Sequence, residues 1–245
     1  MKEVIFEILE NRRITPGGIF RTELAGDTSD IARPGQFVGL KLDGLYLRRP
    51  VSVCDAAPGR LTLIWRVVGA GTRQMSEMRP GDRLSALSGL GNGFDAEASG
   101  DRPLLVGGGV GVPPLYYLAK KLREAGKDTA VVLGFATASE AILAREFAGL
   151  GCDVTVTTVD GTAGTRGFVT DALPAGRTYF YSCGPEAMMK ALNGALGIPG
   201  EFSLEERMGC GFGACMGCSR MMVSGSKRVC RDGPVFRKEE LPWDD

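Results

Sequence analysis

Residues 104–115 read LLVGGGVGVPPL, and this stretch decides the kind of fold the chain adopts. Leu104, Leu105 and Val106 form an unbroken apolar run, as expected of a strand buried on both faces. The glycines at 107, 108, 109 and 111 then turn the chain, and prolines at 113 and 114 suit a first helical turn, so a helix is predicted over 114–125. A strand that runs through a glycine turn into a helix is where backbone N–H groups and the helix dipole favour a phosphate. The spacing departs from strict G-x-G-x-x-G, and glycine-rich turns also occur in α/β domains without a ligand.

The same grammar continues downstream. Strands are predicted at 129–135, 153–158 and 178–182, with helices at 139–150 and 187–196, which gives an α/β unit with a parallel sheet over 99–200. A second loop, Ser182-Cys183-Gly184-Pro185-Glu186, falls at the carboxyl end of a later strand and again precedes a helix. Ligands of open α/β sheets gather at such strand ends, so the two loops together favour a dinucleotide.

Upstream, residues 1–98 change texture. Val4, Phe6 and Ile8 alternate with polar residues, as do Leu61, Leu63, Trp65 and Val67, and clusters such as Pro34-Gly35, Pro58-Gly59 and Pro80-Gly81-Asp82 separate the runs. Short alternating strands with such turns read as an antiparallel sheet, here expected to close into a β-barrel. Arg48-Arg49-Pro50-Val51-Ser52 ends one strand region, and Ile64-Trp65-Arg66 followed by Gly69-Ala70-Gly71-Thr72 ends another. An arginine fork can grip a phosphate, although two arginines on a strand are ordinarily just solvated.

The remaining unit, 201–245, carries Cys210, Cys215, Cys218 and, after an eleven-residue gap, Cys230. This C-x4-C-x2-C…C order is the plant-type [2Fe–2S] ligand pattern. Zinc sites usually set their ligands in two separate pairs, whereas three of these thiols crowd one glycine-rich loop. Disulfides do not suit a chain whose opening residues show no signal peptide or membrane anchor; a cytoplasmic location with reduced thiols is expected. A segment this small is expected to be organised by its cluster. Cys54, Cys152 and Cys183 stand singly and read as small core residues.

Composition removes other classes. Lys and Arg balance Asp and Glu at 29 each, so neither a nucleic-acid groove nor an anionic membrane surface is indicated. Histidine is absent, which removes the commonest general base and the Ser-His and Cys-His nucleophile pairs. Hydride and electron transfer survive that absence, because cofactors carry the chemistry.

The segments RRPVSV, GAGT, GLGNGF, GGGVGVPPL, SCGPEAMM and GCGFGACMGC…CRDGPVF together resemble the electron-transfer subunits of dihydroorotate dehydrogenase B and, more broadly, ferredoxin–NADP reductases. The resemblance implies FAD on the barrel, met by Arg49, Pro50, Val51 and Ser52, lined by Ile64, Trp65 and Arg66, with Gly71 and Thr72 at its pyrophosphate. It implies NAD(H) on Gly107, Gly108, Gly109 and Gly111, with Cys183, Gly184 and Pro185 beside the nicotinamide, and a [2Fe–2S] cluster on the four cysteines. It further implies a relay in pyrimidine biosynthesis, in a heterotetramer with an FMN-containing catalytic subunit. The chain departs from the family at Ser88-Gly89, where a Gly-Pro is usual, and in the short gap before Cys230. Near Phe135-Ala136-Thr137 no residue discriminates NADH from NADPH, so NADH is expected by resemblance alone.

Overall fold

A computed structural model describes residues 1–243. Strands β1 (Lys2–Arg13), β2 (Ile19–Ala25), β3 (Phe37–Leu40), β4 (Arg49–Ala57) and β5 (Arg60–Arg66), then helix α1 (Ala70–Glu77) and strand β6 (Arg83–Leu90), make the first unit. The strands close as a barrel in the order β1-β2-β5-β4-β3-β6, every pairing antiparallel. Strand alternation sends Val4, Phe6 and Ile8 inward, where they meet Leu24, Val53, Leu63 and Trp65. Trp65 stacks on Phe20 and donates its indole N–H to Thr22 Oγ1 at 2.9 Å, so its one polar atom is satisfied in the core.

The second unit comprises β7 (Pro103–Gly108), α2 (Pro113–Glu124), β8 (Ala130–Phe135), α3 (Ala144–Gly149), β9 (Asp153–Thr158), β10 (Thr165–Arg166), β11 (Tyr179–Cys183), α4 (Glu186–Ala195) and β12 (Gly200–Ser203). Strands β10-β9-β8-β7-β11-β12 run parallel, and apolar residues of β7, β8 and β11 are buried on both faces. Helix α2 cements this sheet to the barrel: Leu115, Leu118, Ala119 and Leu122 share one core with Leu105, Val131 and Tyr181 on one side and Ile19, Cys54 and Ile64 on the other. Truncating a fully buried leucine such as Leu118 would cost about 2–5 kcal/mol. Lys120 reinforces the junction by reaching Asp55 at 3.1 Å.

Two expectations are corrected. The helix predicted over 139–150 is a 3-10 turn at Ala138–Glu140 and the short α3, separated where Leu143 takes φ 64°. That left-handed residue follows Ile142, which is buried in the core; tertiary burial overrides a continuous helical pattern. Second, the cysteine segment is not organised by a cluster alone. Strands β13 (Ser219–Met222) and β14 (Gly225–Arg228) form a hairpin, and β15 (Val235–Arg237) pairs antiparallel with β12 as the seventh strand of the main sheet. Met222, Val229, Phe236, Leu241 and Trp243 then join a core with Phe180, Leu192 and Phe202.

Candidate redox site

Arg49 and Pro50 open β4 opposite Leu40 and Gly39 of β3, and Ser52 lies opposite Phe37. Val51 and Trp65 point into the barrel core, so either can meet an outside ligand only through its main chain. Ile64 faces outward but is buried against α2. The Arg49 guanidinium crosses the start of α1 so closely that a Cβ on Gly71 would fall 2.4 Å from its Nε, so a larger residue there would displace the guanidinium. Thr72 Oγ1 accepts from the N–H groups of Val68 and Gly69 at 2.8 and 3.1 Å, which fixes the turn into the helix. Arg66 reaches Glu140 Oε2 at 3.3 Å across the junction, and its buried Nε has no partner among the described residues. A buried orphan donor, a second arginine and a helix start with no side-chain cap fit a diphosphate.

The two loops at the carboxyl ends of β7 and β11 press on each other. A Cβ on Gly111 would lie 2.4 Å from the carbonyl oxygen of Cys183, and one on Gly108 would lie 2.9 Å from Pro185 Cδ and 2.7 Å from Met188 Sδ. Gly184 lies equally close to the backbone of Gly108, and Gly107 to Val112 and Leu115. Gly109, at φ 53°, alone of the first loop's glycines has nothing within 4 Å of a built Cβ, so it is where a ligand can approach the backbone. Cys183 is half-buried, and burial pushes its thiol up to about 12 despite a hydrogen bond with Ser203, so it stays neutral.

The four cysteines divide into two pairs. Cys210 Sγ accepts from Ala214 N at 3.2 Å and Cys215 N at 3.4 Å, while Cys215 Sγ accepts from Cys210 N at 3.4 Å and Gly217 N at 3.5 Å. Cys218 Sγ accepts from Cys230 N at 3.4 Å, and both of those residues are buried. Burial alone would raise the Cys210 thiol, but N–H groups of Cys215, Phe212 and Ala214 and the Cys215 side chain outweigh it and hold it down to about 6. Burial, with Cys218 alongside, pushes the Cys230 thiol up to about 12. Among the described residues no three ligands converge on one point. Two pairs are what two irons with two thiolates each require, and N–H groups aimed at the sulfurs are the usual means of tuning a cluster, so the donor set fits [2Fe–2S].

The cysteine loop faces the barrel. Phe37, Gly39, Arg48 and Pro50 of the barrel and Met208, Gly209, Cys210 and Gly211 of the cysteine loop line a narrow cleft, so Pro50 and Cys210 border the same space. Sequence reasoning missed three residues here. Glu140 carried no signal, because its ion pair crosses units; Met208 reads as one more apolar residue; Asn92 was visible only as part of a turn motif.

Residues 205–242 match the family model described as the iron-sulfur cluster binding domain of dihydroorotate dehydrogenase B. Over 98% of this chain and 99% of its own length, a Geobacillus sp. (strain WCH70) protein named dihydroorotate dehydrogenase B (NAD(+)), electron transfer subunit, is 43% identical. A Bacillus caldolyticus protein of the same name is 47% identical over 86% of this chain and 88% of its own. The chain belongs to the dihydroorotate dehydrogenase B electron transfer subunits. Among solved structures, that of NADH-dependent reduced ferredoxin-NADP oxidoreductase superposes with a TM-score of 0.87 at 36% identity, covering 98% of this chain and 90% of that one. The ferredoxin reductase in carbazole 1,9a-dioxygenase, at TM-score 0.68 and 20% identity over 82% of this chain and 68% of its own, shares the fold. This chain places a closed barrel and a largely parallel sheet ahead of its cysteine-bearing C-terminal segment. No helix among the described residues is long and apolar enough to cross a membrane.

Proposed function

We propose that this chain relays electrons between NAD(H) and the FMN-containing catalytic subunit of dihydroorotate dehydrogenase B, in pyrimidine biosynthesis, through FAD on the barrel and a [2Fe–2S] cluster on Cys210, Cys215, Cys218 and Cys230. The observation that carries this reading is the cleft bordered by both Pro50 of the barrel and Cys210 of the cysteine loop. When bound, FAD exchanges a hydride with nicotinamide and single electrons with an iron–sulfur centre.

The residues then have distinct tasks. Arg49 and Arg66, with the N-terminus of α1 at Gly71 and Thr72, hold the diphosphate of FAD, while Pro50 and Ser52 border the flavin side. Val51, Ile64 and Trp65 contribute main-chain groups and shape. Gly107, Gly108 and Gly111 keep the two nucleotide loops in contact, which leaves Gly109 to admit the pyrophosphate of NADH and Cys183, Gly184 and Pro185 to border the nicotinamide. Neutral Cys183 adds no charge beside a hydride path. The protein acts in the cytoplasm, in a heterotetramer with the catalytic subunit. Domains of 1–98, 99–200 and 201–245 divide these tasks, with β15 returning to the sheet of the second.

The decisive experiment is the ultraviolet–visible spectrum of anaerobically purified protein before and after NADH. Flavin bands and broad iron–sulfur absorbance, both bleached, are expected; a colourless zinc protein, or iron absorbance untouched by NADH, overturns the relay. Dihydroorotate alone is expected to give no turnover without the partner. The 36% identity to a ferredoxin-NADP oxidoreductase chain supports a second reading, a reductase module for another acceptor. Co-purification with an FMN protein that oxidises dihydroorotate separates the two.

A further inference from the structure

We propose that Asn92 is a positioning residue for electron transfer, locking the strand that follows Cys230 to the exit of the barrel and so fixing the flavin-to-cluster geometry. The inference rests on the reading that the barrel holds flavin and the four cysteines hold the cluster.

Asn92 is two residues beyond β6, the last barrel strand. Its side-chain Nδ2 donates to the carbonyl of Val235 at 2.7 Å, and the Val235 N–H donates to its Oδ1 at 3.1 Å. Its own backbone N–H donates to the Gly233 carbonyl at 2.8 Å, and a longer contact of 3.4 Å runs from Nδ2 to the carbonyl of Asp232. An exposed residue has thus committed its side-chain amide to main-chain partners on one short segment. The pattern has a clear meaning: Val235 opens β15, whose other edge pairs with β12, and the reciprocal amide of Asn92 supplies the donor and acceptor that a neighbouring strand would offer.

The flanking residues hold Asn92 from the barrel side. The Gly91 carbonyl accepts from Gln36 Nε2 at 3.2 Å, and Phe94 N–H donates to the Pro34 carbonyl at 2.7 Å. A Cβ on Gly91 would fall 2.6 Å from Pro234 Cδ, so the two segments meet at backbone contact. Immediately before this turn, Leu90 packs in one core with Cys218 and Cys230. The barrel therefore holds the segment that follows the fourth ligand through the Asn92 side chain and the backbone on either side of it, and the cleft bordered by Pro50 and Cys210 lies on the same side of the barrel, lined by Phe37, the strand partner of Leu90. Electron transfer between two centres falls off exponentially with their separation, so a shift of the cysteine segment relative to the barrel changes its rate.

The test compares wild type, Asn92→Ala and Asn92→Asp as full chains reconstituted anaerobically with FAD and iron–sulfur. Asn92→Asp keeps the shape but turns the donor to Val235 into a repelling acceptor. On rapid mixing with NADH, flavin bleaching is expected at the wild-type rate in all three, while cluster bleaching slows severalfold in both variants. Amide exchange provides a readout that needs no cofactor: protection of 232–237 falls in both variants, while that of β7 and β8 is unchanged. Cluster bleaching at the wild-type rate in either variant overturns the proposal, as does an equal slowing of both phases, the mark of general damage. So does wild-type shape sufficing, seen as normal exchange in Asn92→Asp. If NADH fails to bleach the cluster in wild type itself, the relay reading falls and takes the proposal with it, an outcome visible without either variant.

Discussion

Two glycine-rich loops, 107–111 and 209–217, look alike on paper and are built in different ways. In the first, glycines are demanded by protein neighbours: Gly111 and Gly108 lie where any Cβ would strike the loop that follows β11. In the second, Gly213 alone is crowded, by the Arg231 side chain at 2.5 Å, while Gly209, Gly211 and Gly217 have no atom closer than 3.1 Å to a built Cβ, and for Gly209 and Gly217 the nearest is Cys215 Sγ. One loop is shaped by packing before any ligand arrives. The other is shaped by N–H groups turned toward thiols, a form that metal coordination completes.

The largest effect should come from breaking the second loop. Cys218→Ser is expected to reduce iron from roughly two per chain toward none, with loss of the broad visible absorbance, while NADH still bleaches the flavin. Iron and acid-labile sulfide assays check it, and full iron retention would remove Cys218 from the ligand set. Because Cys218 is also a core residue, limited proteolysis should open residues 205–242 before the barrel.

The next effect lies where the C-terminal unit joins the sheet. Glu201 on β12 is buried; burial pushes its carboxyl up to about 7, only partly countered by the Asp95 N–H that donates to it at 3.0 Å. A raised carboxyl favours the folded state when protonated, so this contribution is complete below about 4.5 and lost as pH rises through about 7. The loss is about 3 kcal/mol for a shift of this size. Glu201→Gln should flatten the pH dependence of stability between those limits, measured by chemical denaturation; an unchanged slope would mean that the carboxyl titrates normally.

Sharpening the comparison within the first loop gives smaller effects. Gly111→Ala should destabilise by roughly 1–3 kcal/mol through overpacking against Cys183. Gly109→Ala, in open space but at φ 53°, should cost only about 1–2 kcal/mol and raise the KM for NADH disproportionately. A KM for NADH raised no more by Gly109→Ala than by Gly111→Ala would erase the distinction between a packing glycine and a ligand-facing one.

Much of the architecture was legible because it is periodic. Alternation in Val4, Phe6 and Ile8, and the unbroken run Leu104-Leu105-Val106, each reflect a strand's relation to water, and the closed barrel and parallel sheet followed. The break at Leu143 was not legible, because a helical pattern of local propensity cannot show that Ile142 is wanted in a core built from distant strands. Nor was the return of β15 to the sheet: three residues carry too little pattern to declare their partner.

By itself the sequence determined the ligand chemistry. Thiol type and spacing match an iron–sulfur pattern, and glycine turns after buried strands match candidate phosphate-binding loops, since both depend on residues close along the chain. Only the tertiary structure decided which glycines serve packing and which face open space. It also decided that Trp65 and Val51 turn away from any ligand, that Arg66 meets Glu140, and that Asn92 joins the barrel to the segment that follows Cys230. Those facts concern groups far apart in sequence, brought together by the burial of apolar surface rather than by any local preference.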